Sequence, residues 1–290
     1  MPGGIDHVVP VARDLDKLAE FYRGLGFKVG ARNRHDWGTL NHIVQFDGNF
    51  IELLTTEPGF ARQPLDEPIA QFTEPLANYL DRGEGIAMCV LEAHDAAADQ
   101  AHFTAQGIAG PSPFYFERKG KRPDGSDVQV AFSLAFARMS GFGNGGFFVC
   151  QQHNPDAFWS AEFQDHPNGA RAITGLVFVA SDVNAAADFF SRYSGEPTQS
   201  LDEGHRRIQT ARGWIDVFSP ANAVDRYGGD QLPSPTPEDG FAALHVGCDD
   251  VGTVAKFAEA SGTTCRVNDG QVIVAADDAF GTTLVFEPAS

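Results

Sequence analysis

Two ionisable side chains sit where an apolar strand rarely tolerates one. His7 lies inside GIDHVVPV (4–11) and Glu52 inside NFIELL (49–54). A carboxylate buried without a partner costs several kcal/mol, so its placement needs a physical reason. Imidazole and carboxylate are also the side chains best suited to moving protons or holding a divalent cation. The plain alternative is a structural His–Glu hydrogen bond. Other chemistry-bearing groups lie along the same half of the chain. RNRHDWGT (32–39) gathers Arg32, Arg34, His35 and Trp37, which suit a substrate carboxylate and a stacked ring, or else an ordinary polar loop. In FFVCQQH (147–153), Gln151 and His153 share one strand face, and Cys150 and Gln152 share the other. In PFYFERKGKRPDG (113–125), Phe114 and Phe116, with Phe132 further on, are candidates to line an apolar pocket. Arg118, Lys119, Lys121 and Arg122 read as a solvated hairpin tip, with a mobile gate as the alternative. If DG in FDGN is a two-residue turn, Ile43 opposes Glu52, and His42 falls on the face away from it.

The elements that must position these groups recur along the chain. GIDHVVPVARDLDKLAEFYRGLGF (4–27) and AITGLVFVASDVNAAADFFSRYSGE (172–196) share one plan: an apolar strand, an Asp that can cap a helix, an amphipathic helix with an aromatic pair, and a closing Gly. Weaker copies run over 85–107 and 240–262. The capping residues are Asp14, Asp95, Asp182 and Asp250, and the closing residues Gly26, Gly107, Gly195 and Gly262. Three short strand-like runs follow each helix, near 28–34, 40–46 and 49–56 in the first copy and near 264–268, 271–275 and 282–287 in the fourth. The unit is β-α-β-β-β, four times over. One such unit has a half-buried sheet and cannot close a core, so units must pair. The expected division is residues 1–155 for the first two copies and 156–290 for the last two, with the aperiodic 151–172 as the connection.

Composition narrows the partners. The chain has 39 acidic and 21 basic residues, a formal net charge of −18. That surface repels nucleic acid and anionic membranes, and it does not exclude an anionic small-molecule substrate, because a local cluster of arginines can override the global sign. No apolar run is long enough to span a bilayer. MPGGIDH has neither the basic nor the apolar segment of a secretion signal, and Cys89, Cys150, Cys248 and Cys265 are widely spaced. A reduced, cytoplasmic protein is the expectation. GFGNGG (141–146) precedes a strand and not a helix, which argues for a loop and against a phosphate cradle.

A βαβββ unit that begins with DHV and ends in IEL resembles the vicinal oxygen chelate superfamily, which includes glyoxalase I, extradiol dioxygenases, fosfomycin-resistance transferases and bleomycin-binding proteins. FYRGLGFKV, RHDWGTLNHIVQFDGNFIEL and FFVCQQHNPDAFW followed by HPNGA are similar to its glyoxalase-like branch. The resemblance implies an α+β fold of four βαβββ modules, paired into two cup-shaped, partly open mixed-sheet barrels with helices outside. It implies metal ligands on the first and last strands of paired modules, which fall here on His7 and Glu52. Such donors suit Fe, Mn, Zn or Ni. The partner module departs from the pattern, with Met88 at the histidine position. Gln151 and His153 are the candidates to complete the site, and their register is open. In the C-terminal half, Gly175 and Ala243 replace the histidine and Val285 the carboxylate, which leaves Asp216 with His245 as a remote option. The expected activity is a metal-dependent lyase or isomerase on a small oxygenated substrate, with Glu52 and His7 catalytic. Extradiol ring cleavage and metal-free sequestration stay open, as does a homodimer.

Overall fold

We describe a computed structural model of the chain over residues 2–62, 64, 68–110, 112–121, 127–142 and 145–289. The first half begins with β1 (Ile5–Val11), α1 (Leu15–Gly24), β2 (Asn33–Arg34), β3 (Thr39–Gln45) and β4 (Phe50–Thr56). After α2 (Ala70–Arg82) the plan repeats as β5 (Gly85–Glu92), α3 (Ala96–Ala105), β6 (Phe114–Lys121), β7 (Asp127–Ala137) and β8 (Gly146–Gln152). Two short helices, α4 (Pro155–Phe158) and α5 (Ala161–Gln164), lead into the second half. There β9 (Ala170–Ala180), α6 (Val183–Ser194), β10 (Thr198–Asp202), β11 (His205–Gln209) and β12 (Trp214–Phe218) form the third module. After α7 (Pro220–Tyr227), the fourth is β13 (Asp239–Cys248), α8 (Val251–Ser261), β14 (Arg266–Asn268), β15 (Gln271–Val274) and β16 (Thr283–Pro288).

The same local chemistry starts and stops each module helix. Asp14, Asp95, Asp182 and Asp250 accept from backbone amides of the first turn of α1, α3, α6 and α8. Gly26, Gly107, Gly195 and Gly262 follow at φ between 68° and 83°, a conformation open to glycine at little cost. Besides the short α4 and α5, helices α2 and α7 were not anticipated from the sequence. Pro75 in α2 and Pro220 at the start of α7 break the apolar pattern, yet each helix packs its buried side against the concave face of a cup. Phe72 of α2 and Tyr227 of α7 reach inside.

Modules pair as required. The first sheet runs β2-β3-β4-β1-β5-β8-β7-β6 and the second β10-β11-β12-β9-β13-β16-β15-β14. In each, the two modules meet at an antiparallel pair, β1 with β5 and β9 with β13, while each module's own first and last strands pair in parallel. The sheets are separate, but their outer faces and helices share one apolar core. Phe27, Tyr22 and Phe147 pack there with Phe189, Phe190 and Phe286. Polar ties reinforce it. The Tyr193 hydroxyl of α6 donates to the carbonyls of Cys89 and Phe148, and Asn49 bonds both backbone groups of Ile173. What remains on each concave face is a second, smaller core: the inside of a cup.

Candidate active site

Strand alternation sends His7, Val9 and Val11 of β1 into the first cup, together with Phe50, Glu52 and Leu54 of β4. His7 pairs with Phe50 across the parallel ladder and its ring stacks on the Phe50 ring at 4.2 Å. Phe148 meets it edge-on at 5.7 Å. Glu52 comes next on the same face, and its Oε2 lies 3.9 Å from His7 Nε2. Both residues are buried, at 4% and 6% exposure. The hairpin register pairs Ile43 with Glu52, as the DG turn requires, so Ile43 and Asn41 share the carboxylate's face. Asn41 Nδ2 donates to Glu52 Oε1 at 2.5 Å. His42 points the other way, with its Nδ1 on the Gly30 carbonyl at 2.7 Å.

His7 is oriented from behind. Its Nδ1 lies 2.5 Å from Asp6 Oδ1, at a register irregularity between β1 and β5. Asp6 also accepts from Gln152 Nε2 at 3.3 Å. A carboxylate on Nδ1 keeps a proton there, so Nε2 is the nitrogen that can exchange a proton inside the cup. Cys150 lines the wall beyond; burial, aided by Asp6 and Glu52, pushes its thiol well above the usual range, so it stays protonated.

The rim closes where the two sheet edges approach. From the β2–β3 side come His35 and Trp37, stacked at 4.5 Å. From edge strand β6 comes Phe116, 4.9 Å from Trp37 and 6.0 Å from His35. Phe114 packs on Trp37 at 5.6 Å and backs this wall without lining the cavity. His35 Nδ1 meets the Thr39 hydroxyl at 2.8 Å, and burial drives the ring's pKa down to about 4, so it is a neutral rim group. Arg34 faces outwards, where Glu57 holds it through two bonds of 2.8 and 2.9 Å. Phe158 of the connection completes the lining. It is held by Gln45, whose side chain bonds the Phe158 carbonyl and the Ser160 amide.

Other expected members lie elsewhere. Gln151 Oε1 accepts from the Ala96 amide at the start of α3, outside the cup. His153 Nε2 meets the Ser133 hydroxyl at 2.8 Å on the outer surface, beside Tyr115. The face of β8 that enters the cup is that of Phe148 and Cys150. Arg118 is turned inwards and lines the cup, contrary to the reading of a wholly solvated tip; Arg122 lies outside the described residues. Gly143 and Asn144 of GFGNGG also lie outside them. The residues that sequence reasoning missed include Asp6, Asn41, Phe50, Phe72, Phe148 and Phe158, along with the inward turn of Arg118. Asn41 was within reach, because the register that pairs Ile43 with Glu52 also puts Asn41 on that face.

The donor set does not fit a resident divalent metal. Catalytic zinc sites carry three protein ligands, and non-haem iron sites two histidines and a carboxylate. Here the imidazole and one carboxylate are the donors facing each other, and Asn41 turns its amide nitrogen, not its oxygen, to Glu52. At the equivalent positions the opposite module offers neither an imidazole nor a carboxylate. Met88 pairs with Gly146 as His7 pairs with Phe50, so the counterpart of Glu52, two residues on, is Phe148. Among the described residues, no three His, Cys, Asp or Glu side chains converge.

Comparisons with known proteins support the architecture. In overall fold the chain is similar to a hypothetical protein from Staphylococcus aureus, at TM-score 0.71 and 11% identity over 99% of both chains. It is similar to a xylose isomerase-like TIM barrel/4-hydroxyphenylpyruvate dioxygenase fusion protein, at TM-score 0.60 and 13% identity; all of this chain matches about half (49%) of that one. A mutant 4-hydroxymandelate synthase from Streptomyces coelicolor aligns at TM-score 0.57 and 12% identity, over 100% of this chain and 94% of that one. Identities this low speak for the fold alone. No curated protein sequence matches the chain. A family model described as a glyoxalase-like domain matches residues 5–194, which take in both modules of the first cup and the start of the third, and the chain belongs to that family.

Proposed function

We propose that the first cup is the active site of a glyoxalase-like enzyme that moves a proton on a small, mainly apolar substrate with an oxygen function, in lyase or isomerase chemistry. One observation carries this reading. Glu52 Oε2 and His7 Nε2 face each other at 3.9 Å at the floor of an aromatic cavity, and among the described residues no lysine or arginine lies within ion-pair reach of the carboxylate. Glu52 takes the proton, with Asn41 fixing its other oxygen. His7 returns or shares it through Nε2, with Asp6 fixing Nδ1. The surrounding Phe50, Phe72, Phe132 and Phe148 thin out water, which strengthens such exchanges. The metal dependence implied by the resemblance is not carried into the proposal, because the donor set falls short. Ring cleavage by a bound iron falls with it.

The rival reading is a protein that binds its ligand and does nothing to it; the aromatic lining would serve either role. Deuterium exchange separates the two. Aromatic and branched aldehydes, ketones and their α-hydroxy derivatives, incubated with the protein in deuterium oxide, should lose the α-proton signal in proton NMR for at least one member. Glu52→Gln should slow that exchange about 100-fold or more. Bound compounds that show no exchange above the protein-free rate would mark the cup as a sequestering site, and equal exchange in Glu52→Gln would remove Glu52 as the base.

A further inference from the structure

Arg118 is a charged group of the cup that has no hydrogen-bond or ion-pair partner among the described residues. It is the third inward residue of β6 after Phe114 and Phe116, opposite Val130 across the hairpin. Its side chain lines the inner cavity, of about 50 Å³, and also a neighbouring outer cavity of about 290 Å³. Ile43 and Phe158 border both spaces as well, so Arg118 stands at the passage between them. Among the described residues it has no hydrogen bond or ion pair, and Glu52, across the inner cavity, lies beyond ion-pair distance. Comparable half-buried arginines are all engaged. Arg207 holds Asp216, Arg212 holds Glu92, Arg192 holds Asp188 and Arg266 bonds the Tyr227 carbonyl.

Leaving a half-buried guanidinium without a partner is unfavourable. Burial already lowers its pKa, with Glu52 opposing that shift. An inward charge can protect an edge strand from pairing with another chain. That role is already filled by Glu117 and Lys119 on the outward face, and it does not require a place between two cavities.

We propose that Arg118 is the anion subsite of the cup and that its ligand is a monocarboxylate. The carboxylate takes the guanidinium fork, and an apolar body lies among the rings, with an oxygen function towards His7 and Glu52. A carboxylate is favoured over a phosphate by the surroundings. Among the described residues no second cation lines either cavity, while Glu52 on one and Asp156 on the other would repel a dianion. This subsite rests on the reading of the first cup as the ligand site, and it names the ligand class.

The test is calorimetric titration of 3-phenylpropionate and 4-methylpentanoate, each against its primary amide. The wild-type chain should bind at least one acid ten-fold or more tighter than its amide. Arg118→Met should abolish that preference without weakening the amide, which also shows that the variant is folded, and Arg118→Lys should restore part of it. Equal binding of acid and amide to the wild type, or a preference that survives in Arg118→Met, overturns the anion subsite and leaves the cup reading intact. Binding of no probe overturns the subsite and the cup reading together.

Discussion

The two cups are built on one plan and treat the same acidic position in opposite ways. Gly175 stands for His7, and its ladder partner Trp214 stands for Phe50. Asp216, two residues on, matches Glu52. On the neighbouring strand, Arg207 matches Ile43 and His205 matches Asn41. In the second cup the cross-strand arginine clamps the acid through two bonds of 2.6 and 2.7 Å, and His205 Nε2 lies 3.1 Å away, off the line of a hydrogen bond. Asp216 is therefore committed, and it does not pair with His245. That histidine lies between the Tyr227 hydroxyl at 3.0 Å and Glu287 at 3.2 Å. The Trp214 indole fills the space left by the missing histidine, under the Arg207 guanidinium at 4.3 Å and beside His245 at 4.7 Å. In the first cup, Ile43 offers no charge to Glu52, and a cavity takes the place of a filled core. The difference teaches that the scaffold can neutralise an acid at this position and that the first cup refrains from doing so.

The largest expected effect breaks the clamp. Arg207→Ala leaves Asp216 buried without its counter-ion and should cost about 3 kcal/mol in urea unfolding. An equally stable variant would mean that the clamp contributes nothing and the contrast between cups is superficial.

Acid should reach the first cup before the second. Burial holds His35 neutral, with its pKa down at about 4, while the unfolded chain takes up that proton near 6.5. Stability is then fully present above pH 6.5 and falls towards pH 4, by about 3 kcal/mol at roughly 1.4 kcal/mol per unit. His166, buried between the Lys28 amide and the Gln45 carbonyl and lowered to about 4 by burial, adds to the same window. Glu287 behaves differently. Burial raises its pKa, but hydrogen bonds from His245, Thr174 and Gln271 prevail and hold it at about 2, so its contribution survives down to pH 4.5. Urea midpoints at pH 7 and 4.5 should differ clearly in the wild type and less in His35→Phe. An unchanged gap in that variant would remove His35 from the account.

A smaller effect probes the filling of the second cup. A Cβ on Gly175 would sit 2.2 Å from the Trp214 ring. Gly175→Ala should therefore cost about 2 kcal/mol through overpacking. Adding Trp214→Phe should recover part of the loss; failure to do so would show that the indole is not what excludes a side chain there.

The modules were legible because their signals are local. Asp caps, closing glycines and the DG turn act within a few residues, and the alignment of the four copies placed His7 apart from Met88, Gly175 and Ala243. The hairpin register was legible for the same reason, and it put His42 outside. What failed depended on long-range register. Whether Gln151 or Cys150 enters the cup is decided by the pairing of β8 with β5 and β7, and a one-residue slip exchanges the faces. Arg118 was read from the charge of its neighbours, but strand alternation on β6 decides where it points. Phe158 came from a connection without periodicity, which a tertiary bond from Gln45 pins in place.

The central claim is that Glu52 is kept for function while its counterpart Asp216 is kept for structure. The direct test is the unfolding free energy of Glu52→Gln beside that of Asp216→Asn, at pH 7. Neutralising a buried acid that no arginine clamps should leave stability within about 1 kcal/mol of wild type or raise it, whereas neutralising a clamped one should lower it by about 2 kcal/mol or more. A Glu52→Gln variant as destabilised as Asp216→Asn would contradict the account, because Glu52 would then be another structural acid.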